Sequence, residues 1–301
     1  MSVNGASWDQ DYDQAMNNAR QESDPDKRIL AIRALRHHIQ RAENDAQRSR
    51  NIRIFEVFSS ILYSYRQPGD SASENDTDRD DMLADIHHDP VVATIGDVLR
   101  CVLARPDHHL GCFEHSRGWC LDFLNLEACH FSGAQLARSS FYRTRLERAD
   151  FTHARLERSD FTHADLTSSN CSHAVFSGAE LSNANIAWAD LSHVEMEGAF
   201  ANHTNFSGAI LNHGTLTRAF LSGANIAKAS LIHADLHGAN MFAVKIHQAK
   251  LEHTVLEGTG ITKDRIDALG ETVQWDAGTR WGSDDDCDGR NPLDRGYYAI
   301  K

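Results

Sequence analysis

Histidine is the residue whose number and spacing most invite chemistry. The chain has 18 among 301 residues. Six recur at intervals of twenty: His153, His173, His193, His213, His233 and His253. If the fold returns every twenty residues, these six stack in one line. A line of imidazoles would suit metal binding or proton sensing. Tetrahedral zinc needs ligands that converge more closely than successive rungs about 4.8 Å apart allow, and no Cys or carboxylate completes a set. The plainer reading is an outward corner position that tolerates polar residues, with imidazoles stacked coil on coil. Adjacent imidazolium charges at that spacing repel by roughly 0.9 kcal/mol per pair in water, so the rod is expected to lose stability below about pH 6.

The other reactive residues are less ordered. None of the six cysteines forms a CxxC pair. Cys129 and Cys171 fall in apolar registers and read as buried thiols. Cys101, Cys112 and Cys120 lie near a domain junction with no basic partner that sequence can place. Phosphate loops, nucleotide fingerprints, GxSxG and HExxH are absent. No catalytic residue and no cofactor is therefore expected.

The element that must position these side chains is a repeat of five. From Leu126 to Leu256 every fifth residue is apolar or small, 27 positions in unbroken phase. The residue two before each is small in nearly every case and Ala in 16. A helix would rotate this pattern around all its sides. A straight strand would alternate it between two faces. A chain that turns a corner every five residues buries it, and four corners close a square coil. No insertion breaks the phase, so no side loop is expected.

Segments such as Ala164-Asp165-Leu166, Ala184-Asn185-Ile186 and Ala234-Asp235-Leu236 resemble the A(D/N)LXX signature of the pentapeptide-repeat family. The resemblance covers roughly 121–261. It implies a mainly β fold, a right-handed quadrilateral β-helix with four repeats per coil. That gives nearly seven coils and a rod on the order of 32 Å long.

Some family members bind type II topoisomerases, mainly DNA gyrase, by mimicking duplex DNA, and protect the enzyme from quinolones or other poisons. The resemblance makes this the first functional expectation, a non-catalytic antibiotic-resistance role by partial DNA mimicry. Mimicry needs rows of negative charge spaced like phosphates. Residues 126–258 carry 13 acidic and 10 basic residues, so the rod is not strongly acidic overall. Its first coils hold Arg138, Arg143, Arg145, Arg148, Arg155 and Arg158. Between 159 and 217 there is no Lys or Arg, but there are Asp160, Asp165, Glu180, Asp190, Glu195 and Glu197. The side that carries Asp160 and Glu180 continues with Phe200 and Phe220, one coil apart. Exposed aromatics there suggest a protein contact, with a partner or with a second copy as a homodimer. The alternative function is thus a structural scaffold for protein–protein interaction. The plainer reading is cover by the flanking segment 271–301.

Residues 1–110 are expected to form an α-helical N-terminal domain over the first coils. Asp24-Pro25 is a helix start, followed by the stripe Ile29, Ile32, Leu35, Ile39. Ile54, Phe58, Ile61 and Tyr65 make a second stripe, and Val92, Ile95, Leu99 and Val102 a third over 90–104. Segments within 28–104 loosely resemble the helices that precede the repeats in many bacterial members, which implies a bacterial origin. Residues 67–81 have almost no apolar content and read as a flexible loop. Residues 262–301 should supply a short capping helix, started by Thr262 and ended by Gly270, and a tail with an acidic patch at Asp284–Asp288.

The net charge of −13 argues against direct nucleic-acid binding. No apolar run reaches the ~18 residues of a membrane span, and the N-terminus lacks a secretory pattern. A cytoplasmic location is the expectation.

Overall fold

The computed structural model describes residues 5–39, 45–66, 86–103, 118–268 and 273–282. The loop expected at 67–81, Cys112, Gly270 and Asp284–Asp288 lie outside them.

Residues 118–258 form a square solenoid. Parallel bridges join each side to the one twenty residues on, from Cys120↔Ser140 to Asp235↔Val255. Each side supplies a single bridge residue, so the walls are stacks of isolated bridges rather than extended strands. The repeat Ala149–His153 shows why five residues suffice. Ala149 and Phe151 are fully buried. The Asp150 N–H donates to Cys129 O (2.9 Å), Phe151 N–H to Asn170 O (2.7 Å) and His153 N–H to Ser172 O (3.0 Å). Ala154 N–H closes the turn onto Phe151 O (2.9 Å). One donor remains, the Thr152 N–H, and Asp150 Oδ1 accepts it at 2.9 Å. The Asp or Asn of the signature is therefore the side chain that satisfies the turn's orphan amide. Every fifth residue from Phe123 to Gly258 has a positive φ. Glycine adopts this conformation freely, and among other residues Asn, Asp and His are enriched there.

The interior is filled in layers. Phe131 stacks on Phe151 (4.8 Å) and Phe141 on Phe161 (4.5 Å). The two stacks meet edge to face at 5.9–6.0 Å. Further along, Cys171, Ala201, Met241 and a run of Leu take over the same positions, all of them buried.

Among the described residues four α-helices precede the first coil: α1 (Gly5–Gln21), α2 (Pro25–Leu35), α3 (Asp45–Arg66) and α4 (Pro90–Leu103). Three follow the stripes read from sequence. Helix α1 was not foreseen; its buried face is Tyr12, Ala15 and Ala19, too small and polar in context to stand out. Asp24 caps α2, and Asp89 caps α4 through the Val91 N–H (2.8 Å) while accepting the Tyr65 hydroxyl (2.9 Å). Burial and that bond push the Tyr65 phenol up to about 12. The helices grip the rod closely. Ser59 accepts the Cys120 N–H (2.8 Å), Phe55 meets Trp119 edge on (5.9 Å), and a Cβ at Gly96 would lie 3.4 Å from Asn125 O.

At the other end α5 (Lys263–Ala268) follows Thr262. The chain beyond it is not simply a tail. Residues 273–282 return to the rod and resume its ladder, with Gln274 pairing with Lys250 and Arg280 with Val255. The helix is an insertion into one last, incomplete coil.

Candidate functional site

Four faces follow from the twenty-residue return. The first carries Ser140, Asp160, Glu180, Phe200, Phe220 and Asn240; the second Asp165, Asn185, Asn205 and Asn225; the third Asp150, Asn170, Asp190 and Ile210; the fourth Arg155, Val175, Glu195 and Thr215. The six carboxylates of the middle segment are therefore spread around the rod. Asp160 and Glu180 are neighbours on the first face, Asp165 is on the second, Asp190 on the third and Glu195 on the fourth. Glu197 stands at the corner between the fourth and the first. No single row collects them.

Three of the six also have local partners. Asp160, Asp165 and Asp190 each accept the N–H two residues on at 2.9 Å. Asp165 further accepts the Thr167 hydroxyl (2.5 Å) and the Asn185 amide (3.3 Å), and so starts an amide ladder through Asn205 and Asn225. Burial, and Asp160 one rung below, raise the Glu180 carboxyl above the usual range. The basic first coils are partly offset by their own acids. Arg145 pairs with Glu147 (3.0 Å), Arg148 with Glu127 and Arg155 with Glu157 (2.5 Å).

The first face also holds the aromatic pair. Phe200 and Phe220 stack at 4.8 Å with their planes 3° apart. Phe200 is 37% exposed and Phe220 half-buried. Gly178 and Gly198 share the corner on one side with the exposed Glu197 and Arg218, and Ser182, Asn202, Ser222 and the exposed His203 line the other. Phe242 is exposed one rung higher. Elsewhere Ile210 on the third face and Trp188 after the second are exposed, and Trp188 folds over Gly208, where a Cβ would sit 2.4 Å from the indole. Sequence reading passed over Trp188, Ile210 and Phe242. The signal was there, because apolar residues outside the two inward registers must point out.

The histidine ladder lines the corner between the third and fourth faces. Its rings stack at 4.6–4.9 Å, nearly parallel. All six occupy the positive-φ turn position, as do His163 and His203. Backbone conformation thus gives a reason for histidine here beyond a tolerance of polar groups. At the end of the ladder His253 meets Asp276 (3.0 Å), whose carboxyl is held below the usual range chiefly by the His253 backbone N–H. Stacked rings aim their nitrogens side by side rather than at a common point. Among the described residues no group of three or more His, Cys, Asp or Glu could hold a metal ion.

The thiols of Cys129 and Cys171 are buried in the core and pushed up to about 12 by that burial. Cys120 is buried and Cys101 exposed. No described helix is long and apolar enough to cross a membrane.

A family model of pentapeptide repeats matches residues 120–158, 159–198, 184–223 and 219–258. No curated protein matches. Among solved structures, the chain is similar to HetL, a pentapeptide repeat protein involved in heterocyst differentiation regulation from Nostoc sp. strain PCC 7120. The two are 23% identical over 50% of this chain and 80% of that one, with a TM-score of 0.36. It is also similar to QnrB1, a plasmid-mediated fluoroquinolone resistance protein, at 19% identity over 54% and 87%, with a TM-score of 0.35. A third likeness is to a pentapeptide repeat protein of the Arabidopsis thaliana thylakoid lumen, at 31% identity over 33% and 65%, with a TM-score of 0.26. The unbroken five-residue phase, the four-sided ladder and the family match agree: residues 120–258 of this chain are a pentapeptide-repeat domain.

Proposed function

We propose that the protein is a non-catalytic interaction module that binds a protein through the first face of its rod. One observation carries the reading. Two stacked aromatic rings stand half-exposed in line with Asp160 and Glu180, beside the exposed corner pair Glu197 and Arg218. Apolar rings held this way offer area without an ordering cost, because the solenoid fixes them. The interior of the rod is filled by buried side chains and leaves no room there for a substrate. The test is Phe200→Asp with Phe220→Asp in the full chain. These substitutions put two more carboxylates in line with Asp160 and Glu180 and remove a ring stack, so the unfolding midpoint should fall modestly while the chain stays folded, and the protein contact should be abolished. A contact that survives both would overturn the reading.

A second reading is binding of DNA gyrase by partial DNA mimicry, with protection against topoisomerase poisons. The absence of Lys and Arg between 159 and 217, where six carboxylates lie, favours it. Its dispersal of charge over four faces counts against it. A supercoiling assay with and without a gyrase poison tests it. Inhibition or rescue near stoichiometric protein, lost on neutralising the six carboxylates, would support mimicry. No effect at large excess would reject it.

A further inference from the structure

The first face has a charge pattern that selects among partners. Glu197 stands at the corner beside Phe200, and Arg218 at the same corner beside Phe220, one rung on. Both are exposed, and neither has an ion-pair partner among the described residues. Below the rings the face is acidic, with Glu180 and then Asp160. Above them it is neutral at Asn240. A surface with a centred apolar pair and opposite charges on either side is complementary to its own image turned end over end.

We propose that the occupant of this face is a second copy of the chain, packed antiparallel about a two-fold axis that passes between Phe200 and Phe220. The inference rests on the reading of the first face as a contact surface and names its partner. In this arrangement Phe200 lies over Phe220 of the second copy. Glu197 reaches Arg218 of the second copy, and symmetry repeats the pair. Glu180 faces Asn240 of the second copy rather than another carboxylate. The parallel alternative places Glu180 on Glu180 and Asp160 on Asp160, and like charges opposed across an interface disfavour it. One wall of a narrow rod is small beside a standard interface, so the dimer is weak and dissociates on dilution.

The experiment is sedimentation velocity on the full chain over a wide concentration range, at low and high salt. A concentration-dependent dimer, weakened by salt, is expected. Glu197→Arg alone or Arg218→Glu alone should raise the dissociation constant about tenfold, and the double swap should restore it to within about threefold. Mixing Glu180→Cys with Asn240→Cys under mild oxidation should give the mixed disulfide-linked dimer. Glu180→Cys alone should give no more cross-link than the wild type. Self-linking by Glu180→Cys would show the parallel arrangement and overturn the proposal. So would a double swap that fails to restore binding, or a chain that stays monomeric throughout.

Hydroxyl-radical footprinting then separates the two levels of inference. A monomer with Phe200 and Phe220 freely oxidised rejects only the second copy and leaves the face open to another protein. A monomer whose rings are protected, and become reactive when the chain is truncated after Gly282, shows the protein's own tail on the face and overturns both.

Discussion

Replacing Asp160, Asp165 and Asp190 separates what a carboxylate does for the fold from what its charge does outside it. Each Oδ1 accepts one turn N–H at 2.9 Å that has no other acceptor in the ladder. Alanine leaves that partly buried donor unsatisfied, at about 1 kcal/mol per site. Asp165→Ala also strips an acceptor from the Thr167 hydroxyl and the Asn185 amide, so about 2 kcal/mol is expected there. The three sites share no partner, and the triple alanine variant should lose about 4 kcal/mol. That is a large part of the ~5–15 kcal/mol that stabilises an ordinary domain. Asparagine keeps the acceptor. Asn170, Asn205 and Asn225 already hold the same bond at 3.1–3.2 Å. The triple asparagine variant should therefore unfold within about 0.5 kcal/mol of the wild type. Urea unfolding followed by circular dichroism at pH 7 measures both. Equal midpoints for the alanine and asparagine triples would refute the turn-amide account. The same comparison decides how the gyrase reading should be tested, since alanine would confuse lost charge with lost fold.

Three shorter expectations follow from the same geometry. Asp276 is stabilised as the anion in the fold, so its contribution is present above the ordinary aspartate range and lost as pH falls through it. Hydrogen-exchange protection factors at Gln274 and Arg280, corrected for intrinsic exchange, should fall below about pH 4, and far less so in Asp276→Asn. Cys129 and Cys171 should resist a thiol reagent until the rod unfolds, whereas Cys101 reacts at once; mass mapping of the labelled sites decides. Gly198→Ala meets open space and should cost about 1 kcal/mol for its positive φ alone, whereas Gly208→Ala must also displace Trp188 and should cost more and red-shift its fluorescence.

The solenoid was legible because its signal is strictly periodic. One inward residue in five, held for 27 turns, admits few other backbones, and the burial of Leu126 through Leu256 follows the phase read from sequence. What periodicity cannot convey is conformation at the turn. The position two after each inward residue was plainly outward, but its positive φ, and hence a preference for Gly and His, appears only with the backbone. The faces were partly legible. Asp160, Glu180, Phe200 and Phe220 fall on one wall as the arithmetic of twenty requires. The same arithmetic would have placed Asp165, Asp190 and Glu195 on the other three walls. The return of residues 273–282 was hidden because α5 breaks the count: Lys250 pairs 24 residues on and Val255 pairs 25 on. Helix α1 was hidden because alanines and one tyrosine make its buried face.

The fixed pairing of each residue with the one twenty away makes length and direction one variable in this molecule. Removing a whole coil anywhere in the unbroken part shortens the rod and leaves every wall aligned. Removing a single repeat of five keeps an apolar interior but rotates everything beyond it by a quarter turn. Phe200 and Phe220 would then look out at a right angle to their present bearing relative to the N-terminal helices. A deletion series in steps of five should therefore cycle, with the bearing of the aromatic wall recovered only at the fourth step.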